Sequence, residues 1–361
     1  MTTNISPATL ALQRAMSMTR LLDCGMDYAD AEQLFQRTSR GEGWAEVAES
    51  LADAQLQRAG EAAKAGQLVT AAQAQGLAIA DLVFAQMAFN HDEPRKLQLY
   101  ARLVSATHRL CDVSAQRIER VELPFAHGRL VGWLMRPLTG RARGTVLLFG
   151  GQSGWGVAYL PLARALASRG LATIMAEGPG QGETRLVHGI HVDVDIAAAY
   201  RCFVTRIVDD DSLGAPGIWG NSVGGLWAAS TAATDDRIKA CCVNGSFAAP
   251  TLLPFRTFAE QAAAMLGSDD EAAVQGNFER MRFRPERDQI ACPLLVLHGG
   301  ADPLVKLQDQ QPFLDAATNQ DVTLRVWPDG EHTIYNHATE RTALVSDWFA
   351  ERLSRAGRQW I

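Results

Sequence analysis

Apolar residues recur at three- and four-residue steps through residues 7–114, a spacing that predicts amphipathic helices. The segment is rich in Ala, Leu, Gln and Glu, which favour helix formation. Breakers at residues 41–43, at Gly66 and at residues 90–94 interrupt the pattern. We therefore expect four or five helices and no strand in this part of the chain.

The hydrophobic pattern changes near residue 115. Val121, Leu123 and Phe125 recur at a two-residue spacing, as do Leu130, Gly132 and Leu134. This spacing predicts two half-buried strands joined around Gly128. We therefore expect a helical amino-terminal (cap) domain over residues 1–115 and a second domain over residues 116–361.

From Gly144 onward, short apolar runs alternate with longer amphipathic stretches, the pattern of a parallel sheet flanked by helices. The candidate strands occupy residues 145–149, 172–176, 217–220, 238–243, 294–298 and 323–327. Residues 247–290 separate the fourth of these strands from the fifth and are too long for an ordinary connection. Their helical periodicity predicts a lid insertion over the carboxyl ends of the strands. The expected fold class is α/β with a mostly parallel sheet.

The composition narrows the classes of function. Of the 361 residues, 47% are hydrophobic and 20% are charged, as in an ordinary folded protein. The net charge of -6 argues against a nucleic-acid surface, which would show as a basic patch. A small-molecule substrate fits better.

Targeting and metal signals are weak. Residues 1–12 lack the basic start and apolar stretch of a signal peptide, and the sequence suggests no apolar run near the roughly 20 residues of a membrane helix. We therefore expect a cytoplasmic protein with no membrane segment. The six cysteines form no CxxC pair and no zinc-site spacing, so we expect no metal and no cofactor.

The strongest chemical signal lies at residues 220–225, GNSVGG. This string follows a short apolar strand and precedes a helix-forming segment, which is the setting of a GxSxG nucleophile elbow. Its glycines allow a strand to turn sharply into a helix, and the turn exposes the Ser222 hydroxyl above the helix amino terminus. Ser222 is the candidate nucleophile.

Two later loops carry the other residues that a serine nucleophile needs. Asp302 follows the apolar run 294–298, and His332 lies in the loop after the last candidate strand. The order Ser222, Asp302, His332, each after a separate strand, is that of the α/β-hydrolase triad. His332 would be the general base and Asp302 the acid that orients it. The alternative acids are Asp309, Asp329 and Glu331.

An acyl-transfer site also needs donors for the oxyanion. We expect one from the backbone N–H of Val223 and the second from the loop at residues 150–155, where Gln152 is our choice. Glycine-rich loops can also cradle phosphate, but this one has neither the GxxxxGK[ST] lysine nor the GxGxxG spacing.

Several strings together resemble the 2,6-dihydroxypseudooxynicotine hydrolase branch of α/β hydrolases. They are MAEGPGQGE at residues 175–183, GGQSGW at 150–155, GNSVGG at 220–225 and the helical amino-terminal segment. The resemblance extends over nearly the whole chain. It implies an α/β-hydrolase fold, a helical domain packed over the catalytic domain, a homodimer, and hydrolysis of a carbon–carbon bond beside a ketone. The elbow differs at Asn221, where the branch often has Arg or a similar residue.

The leading hypothesis is hydrolysis of a ketone or 1,3-diketone, which rests on this resemblance. A carboxylesterase acting on small esters is the alternative, and an acyltransferase, a peptidase or a noncatalytic binding protein is more remote. Carbon–carbon cleavage would benefit from a proton donor near the leaving carbon. Candidate donors are His188, His191, Glu177 and Glu183. Candidate substrate-binding residues are Trp155, His188, His191 and Phe247.

Overall fold

The computed structural model describes residues 5–356. The chain divides into two compact units, Met1–Ile118 and Glu119–Ile361. The division falls close to the change of hydrophobic pattern near residue 115. Each unit has its own architecture.

The first unit is helical. Its described residues form α1 (Pro7–Ala15), α2 (Met18–Asp23), α3 (Tyr28–Ser39), α4 (Trp44–Lys64), α5 (Leu68–Gln86) and α6 (Pro94–Val113). The breakers at 41–43, 66 and 90–94 separate the last four helices. The expected four or five helices were too few because the first stretch is divided again. Ser17 caps α2 by accepting from the Arg20 N–H, and Gly25, at φ 92°, ends that helix.

Helix α5 lies between α4 and α6 and is buried along much of its length. By length and composition alone it could cross a membrane, although it is not an uninterrupted apolar run of that length. Polar residues such as Gln75 and Asp81 interrupt its apolar residues. Of its most apolar window, 67% is buried inside the structure, and core helices pass the same test.

The second unit is built on a sheet that contains eight strands in the described residues, in the order β1-β2-β4-β3-β5-β6-β7-β8. The strands are β1 (Ile118–Phe125), β2 (Gly128–Met135), β3 (Gly144–Phe149), β4 (Ala172–Glu177), β5 (Ala215–Asn221), β6 (Cys241–Asn244), β7 (Leu294–Gly299) and β8 (Val322–Trp327). Strands β3 to β8 pair in parallel, whereas β2 is antiparallel to β4. Leu147 of β3, for example, lies between Ile174 of β4 and Ile218 of β5. The expected α/β fold with a mostly parallel sheet is confirmed.

Helices cover both faces of this sheet. They are α7 (Leu160–Ala167), α8 (Gly182–Leu186), α9 (Ile196–Val208), α10 (Val223–Ala232), α11 (Arg256–Leu266), α12 (Glu271–Arg280), α13 (Leu307–Asp315) and α14 (Ala338–Ala356). One face of the sheet packs on α9 and α10 around Leu147, and the other packs on α7 and α14 around Leu148. Because strands β3 to β8 run parallel, their carboxyl ends lie at the same edge of the sheet. The loops that leave this edge carry the candidate site.

The insertion between β6 and β7 contains α11 and α12, as the helical periodicity of residues 247–290 predicts. The Val192 N–H donates to the Met265 carbonyl at 3.0 Å, so the insertion contacts the loop that follows β4.

Candidate active site

The turn from β5 into α10 places Ser222 at the strand edge. Ser222 has φ 58° and ψ -136°, a strained backbone conformation for a residue with a side chain. A Cβ at Gly220 would lie 2.0 Å from the Gly224 carbonyl oxygen, and one at Gly224 would lie 2.4 Å from the Gly150 carbonyl oxygen. The close approach of three backbone segments therefore requires glycine at both elbow positions.

Ser222, His332 and Asp302 lie in one chain of hydrogen bonds. His332 Nε2 is 3.0 Å from Ser222 Oγ, and His332 Nδ1 is 2.8 Å from Asp302 Oδ2. The Asp302 side chain is fully buried and that of His332 is 16% exposed. The structure thus brings together the three residues that the sequence selected.

Asp302 is held by its own loop. Its second oxygen, Oδ1, accepts the backbone N–H groups of Leu304 at 2.8 Å and Val305 at 3.2 Å. Because both of these donors are fixed in the main chain, Oδ2 is the oxygen that faces His332.

Two of the alternative acids have other partners. Asp309 accepts the Lys306 N–H at 2.8 Å at the start of α13, and Asp329 lies 2.9 Å from His337. The third alternative, Glu331, precedes His332 in the chain, and it is Asp302 whose carboxylate contacts His332.

The backbone after His332 is strained. Thr333 and Ile334 have φ values of 52° and 63°, unusual for β-branched residues. The Thr333 carbonyl accepts from Asn244 Nδ2 at 3.2 Å and from the buried guanidinium of Arg341 at 2.9 Å. These two donors hold the His332 loop in its strained form.

Asn244 joins this loop to the elbow. Its carbonyl accepts the Ser222 N–H at 2.9 Å, and its side chain donates to Asn221 Oδ1 at 2.8 Å. The sequence analysis gave Asn244 no role. A polar residue at the end of the buried strand β6 was the available signal, because a buried amide requires partners.

A second buried histidine lies near the site. His298, in β7, accepts from Gln310 Nε2 at Nδ1, 2.9 Å away. Burial lowers the pKa of His298, and the charges of Asp302 and Asp309 oppose that effect. It is His332, and not His298, that contacts Ser222.

The predicted oxyanion donors belong to adjacent loops. A Cβ at Gly151 would lie 3.1 Å from the Val223 nitrogen and 3.1 Å from Ser222 Cβ, so the loop after β3 meets the elbow at this residue. Within the described chain, neither the Val223 N–H nor the Gln152 N–H donates to a protein acceptor. The oxyanion hole expected from these two N–H groups stays a prediction.

The predicted substrate residues lie in separate places. Trp155 is 5% exposed, and its indole N–H donates to the Gln152 carbonyl at 3.1 Å. His188 lies against Gly128 at the start of β2, and His191 contacts the carbonyl of Ala264 in α11 at 3.3 Å. Phe247 packs against the apolar core under the sheet. No hydrogen bond among the described residues joins these four to the triad.

The candidate acids of the GPGQGE string are held by their neighbours. Glu177 is buried and accepts the Glu183 N–H at 2.7 Å, and Glu183 forms an ion pair with Arg120 at 3.0 Å. Gln181 of the same string is fully buried and holds the loop after β3. The sequence analysis used the string as a marker and missed this contact.

The described residues contain no group of three or more His, Cys, Asp or Glu side chains that could hold a metal ion. None of the six cysteines, all within the described residues, forms a disulfide, and burial raises the pKa of the Cys241 and Cys242 thiols well above its usual value.

Comparison with known proteins gives matches to hydrolases. A family model described as serine aminopeptidase, S33, matches residues 278–339, which include Asp302 and His332. A 2,6-dihydropseudooxynicotine hydrolase from Paenarthrobacter nicotinovorans is 26% identical over 220 residues, 58% of this chain and 57% of that protein. A monoacylglycerol lipase from Mycolicibacterium smegmatis is 30% identical over 66 residues, 18% of this chain and 24% of that protein. The matches therefore span less than two thirds of either relative.

The crystal structure of a 2,6-dihydroxy-pseudo-oxynicotine hydrolase superposes with a TM-score of 0.83 at 23% identity, covering 93% of this chain and 95% of the other. At this identity the superposition establishes the fold, which is shared over nearly the full length of both chains.

Proposed function

We propose that this chain, an α/β hydrolase of the branch that includes 2,6-dihydroxypseudooxynicotine hydrolase, is a serine hydrolase that cleaves small carbonyl compounds. Ser222 is the nucleophile, His332 the general base and Asp302 the acid that orients His332. The observation that carries the proposal is the continuous hydrogen-bonded chain from Ser222 Oγ through both nitrogens of His332 to Asp302.

The reaction begins with attack of Ser222 Oγ on the substrate carbonyl carbon. A serine hydroxyl is too weak an acid to ionise at neutral pH, so His332 removes its proton as the new C–O bond forms. The oxyanion is stabilised by the N–H groups of Val223 and Gln152. Asp302 holds the imidazole in the tautomer that leaves Nε2 free and stabilises the imidazolium that results.

Collapse of the tetrahedral intermediate breaks the bond to the leaving group, which takes the electron pair. His332 then returns its proton to that group. Water, deprotonated by His332, hydrolyses the acyl-serine and regenerates Ser222. No step of this sequence uses a cofactor.

The leaving group decides between two versions of the proposal. We favour a carbon leaving group, because a 2,6-dihydropseudooxynicotine hydrolase is the relative matched over the longer stretch. Glu177 and Glu183 have structural partners. His188 lies against Gly128, and His191 contacts the Ala264 carbonyl. We therefore assign protonation of the leaving carbon to His332. The lipase match supports ester cleavage as the alternative.

The test is turnover of a mixed panel of p-nitrophenyl esters, aryl 1,3-diketones and acyl-phenol ketones. Wild type would be compared with Ser222→Ala and with Ser230→Ala, a half-buried serine of α10 that serves as the matched control. We expect turnover to vanish in Ser222→Ala and to persist in Ser230→Ala, because it is Ser222 whose hydroxyl contacts His332.

Ketone cleavage with poor ester turnover would support the carbon–carbon version. Fast ester turnover alone would make the protein a carboxylesterase. Near-normal turnover by a folded Ser222→Ala variant would overturn both versions.

A further inference from the structure

The Gln181 side chain joins the turn after β4 to the loop after β3. Its side chain is fully buried, and its amide nitrogen donates to two successive carbonyls, Gly150 at 2.8 Å and Gly151 at 2.9 Å. Its amide oxygen accepts the Gly178 N–H at 3.0 Å. Both ends of the side-chain amide are therefore fixed, one by the turn after β4 and one by the loop after β3.

These contacts fix the direction of the loop peptides. In a planar trans peptide, a carbonyl and the N–H that follows it point in opposite directions. With the Gly151 carbonyl held on Gln181, the Gln152 N–H must point away from Gln181. This N–H has no acceptor among the described residues, and the loop meets Ser222 and Val223 at the preceding residue, Gly151.

The next carbonyl of the loop is fixed as well. The indole N–H of Trp155 donates to the Gln152 carbonyl at 3.1 Å. The guanidinium of Arg185 lies 4.8 Å from the Trp155 ring and donates to the Gly180 carbonyl at 3.1 Å. Three successive carbonyls of the loop thus accept from side-chain donors, and Arg185 ties the Trp155 side chain to the same turn as Gln181.

We propose that Gln181 and Trp155 are positioning residues of the oxyanion hole, which hold the 150–152 loop so that the Gln152 N–H faces the oxyanion before substrate arrives. This inference rests on the serine-hydrolase function proposed above. A loop of glycines is free to rotate its peptides, and one rotated peptide would present a carbonyl oxygen where a donor is needed. The two side chains remove this freedom, so no reorganisation is required during the reaction.

The role differs from substrate binding in what it predicts. A hole that stabilises the oxyanion acts on the transition state, so its loss lowers kcat and leaves KM nearly unchanged. Loss of a pocket wall would instead raise KM. Loss of a pocket wall would also leave the affinity for small tetrahedral transition-state analogues unaffected.

The experiment compares wild type with Gln181→Met, which keeps the side-chain length and removes the donor, and with Trp155→Phe, which keeps an aromatic ring over Arg185. Gln75→Met is the matched control, because Gln75 is also buried and donates to a backbone carbonyl, that of Ala106. Each variant is assayed for kcat and KM on the panel substrate that wild type cleaves fastest. Inhibition of the same variants by phenylboronic acid, which forms a tetrahedral adduct with an active serine, is measured as well.

We expect kcat to fall roughly 10- to 100-fold in Gln181→Met and about threefold to tenfold in Trp155→Phe, since loss of an oxyanion donor costs about 10²- to 10³-fold. KM should stay within about twofold and the phenylboronate Ki should rise in parallel with the loss of kcat/KM. Gln75→Met should keep its kcat.

A folded Gln181→Met variant with unchanged kcat and Ki would overturn the inference, as would a rise in KM with an unchanged Ki. If Gln181→Met does not fold, Trp155→Phe decides by the same criteria. Turnover that survives Ser222→Ala would refute the proposed function itself. An inactive Ser222→Ala beside a fully active Gln181→Met would refute only the positioning role.

Discussion

At the residue scale, the two oxygens of Asp302 have different tasks. Oδ1 accepts two backbone N–H groups, and Oδ2 faces His332 Nδ1. In Asp302→Asn the amide oxygen would take the two backbone donors, and the NH2 group would face Nδ1. His332 would then carry its proton on Nε2 and could no longer accept one from Ser222.

We therefore expect Asp302→Asn to lower kcat about 10³- to 10⁴-fold, the size seen when a triad histidine is held in the wrong tautomer. The melting temperature should change little because the shape of the side chain is kept. Steady-state kinetics and thermal unfolding test this. Asp329→Asn, at an exposed carboxylate that pairs with His337, is the control and should keep its activity.

Residue identity in the triad could be predicted because each member follows a strand in a known order. The contacts that hold these residues in place could not be predicted from the sequence. Gln181 and Asn244 donate to backbone carbonyls 30 and 89 residues away in the sequence, and a carbonyl leaves no signature in the sequence. The directions of those contacts exist only after the strands have been placed side by side.

At the scale of elements, the elbow depends on how closely α10 approaches the loop after β3. A Cβ at Gly224 would lie 2.4 Å from the Gly150 carbonyl oxygen, which is backbone and cannot rotate away. Gly224→Ala would therefore push α10 from the loop and widen the gap between the two proposed oxyanion donors. Gly276, inside α12, has nothing within 4 Å of its Cβ position.

We expect Gly224→Ala to lower both the melting temperature and kcat, and Gly276→Ala to raise stability by about 0.5–1 kcal/mol, since Ala is the better helix former in open space. Calorimetry and kinetics on both variants check the pair. Equal effects of the two substitutions would show that close packing at the elbow does not matter.

The elements themselves were largely predictable, since periodicity depends on neighbours in the sequence. Both strands of the pair after residue 115 and all six later strands were expected. The order of the strands in the sheet could not be predicted. Strand β3 lies between β4 and β5, and no local sequence pattern determines that order. The additional helix ends near Ser17 and Gly25 were not predicted. A single capping residue is a weaker sequence signal than the apolar spacing that continues through this segment.

At the scale of the whole molecule, two buried or partly buried carboxylates oppose each other in the pH dependence of stability. Asp81 in α5 is fully buried, and neither of its oxygens has a hydrogen-bond partner in the described part of the chain. Burial raises the pKa of Asp81 well above its usual 3.8, and the nearby Asp30 adds to the effect. Ser212, followed by Arg136 and Arg206, lowers the pKa of Asp210 below the same value.

The two shifts act with opposite signs. Because folded Asp81 retains its proton while the unfolded chain ionises, its contribution is favourable below pH 3.8 and is lost as the pH rises toward its folded pKa. The contribution of Asp210 is present above pH 3.8 and is lost as the pH falls below it, because acid removes the charge that Arg136 and Arg206 bind.

Removal of each charge should therefore move the unfolding transition in opposite directions at neutral pH. Asp81→Asn removes an ionisation that the folded state resists, so its melting temperature should exceed that of wild type at pH 8, with the difference shrinking toward pH 4. Asp210→Asn should melt below wild type at pH 8, and this deficit should persist down to about pH 4 and shrink only at lower pH. Scanning calorimetry from about pH 2 to about pH 8 follows both, with Asp112→Asn at an exposed position of α6 as the control for loss of one charge. Shifts of the same sign in both variants would mean that the protein's net charge, rather than the surroundings of these two carboxylates, governs its stability.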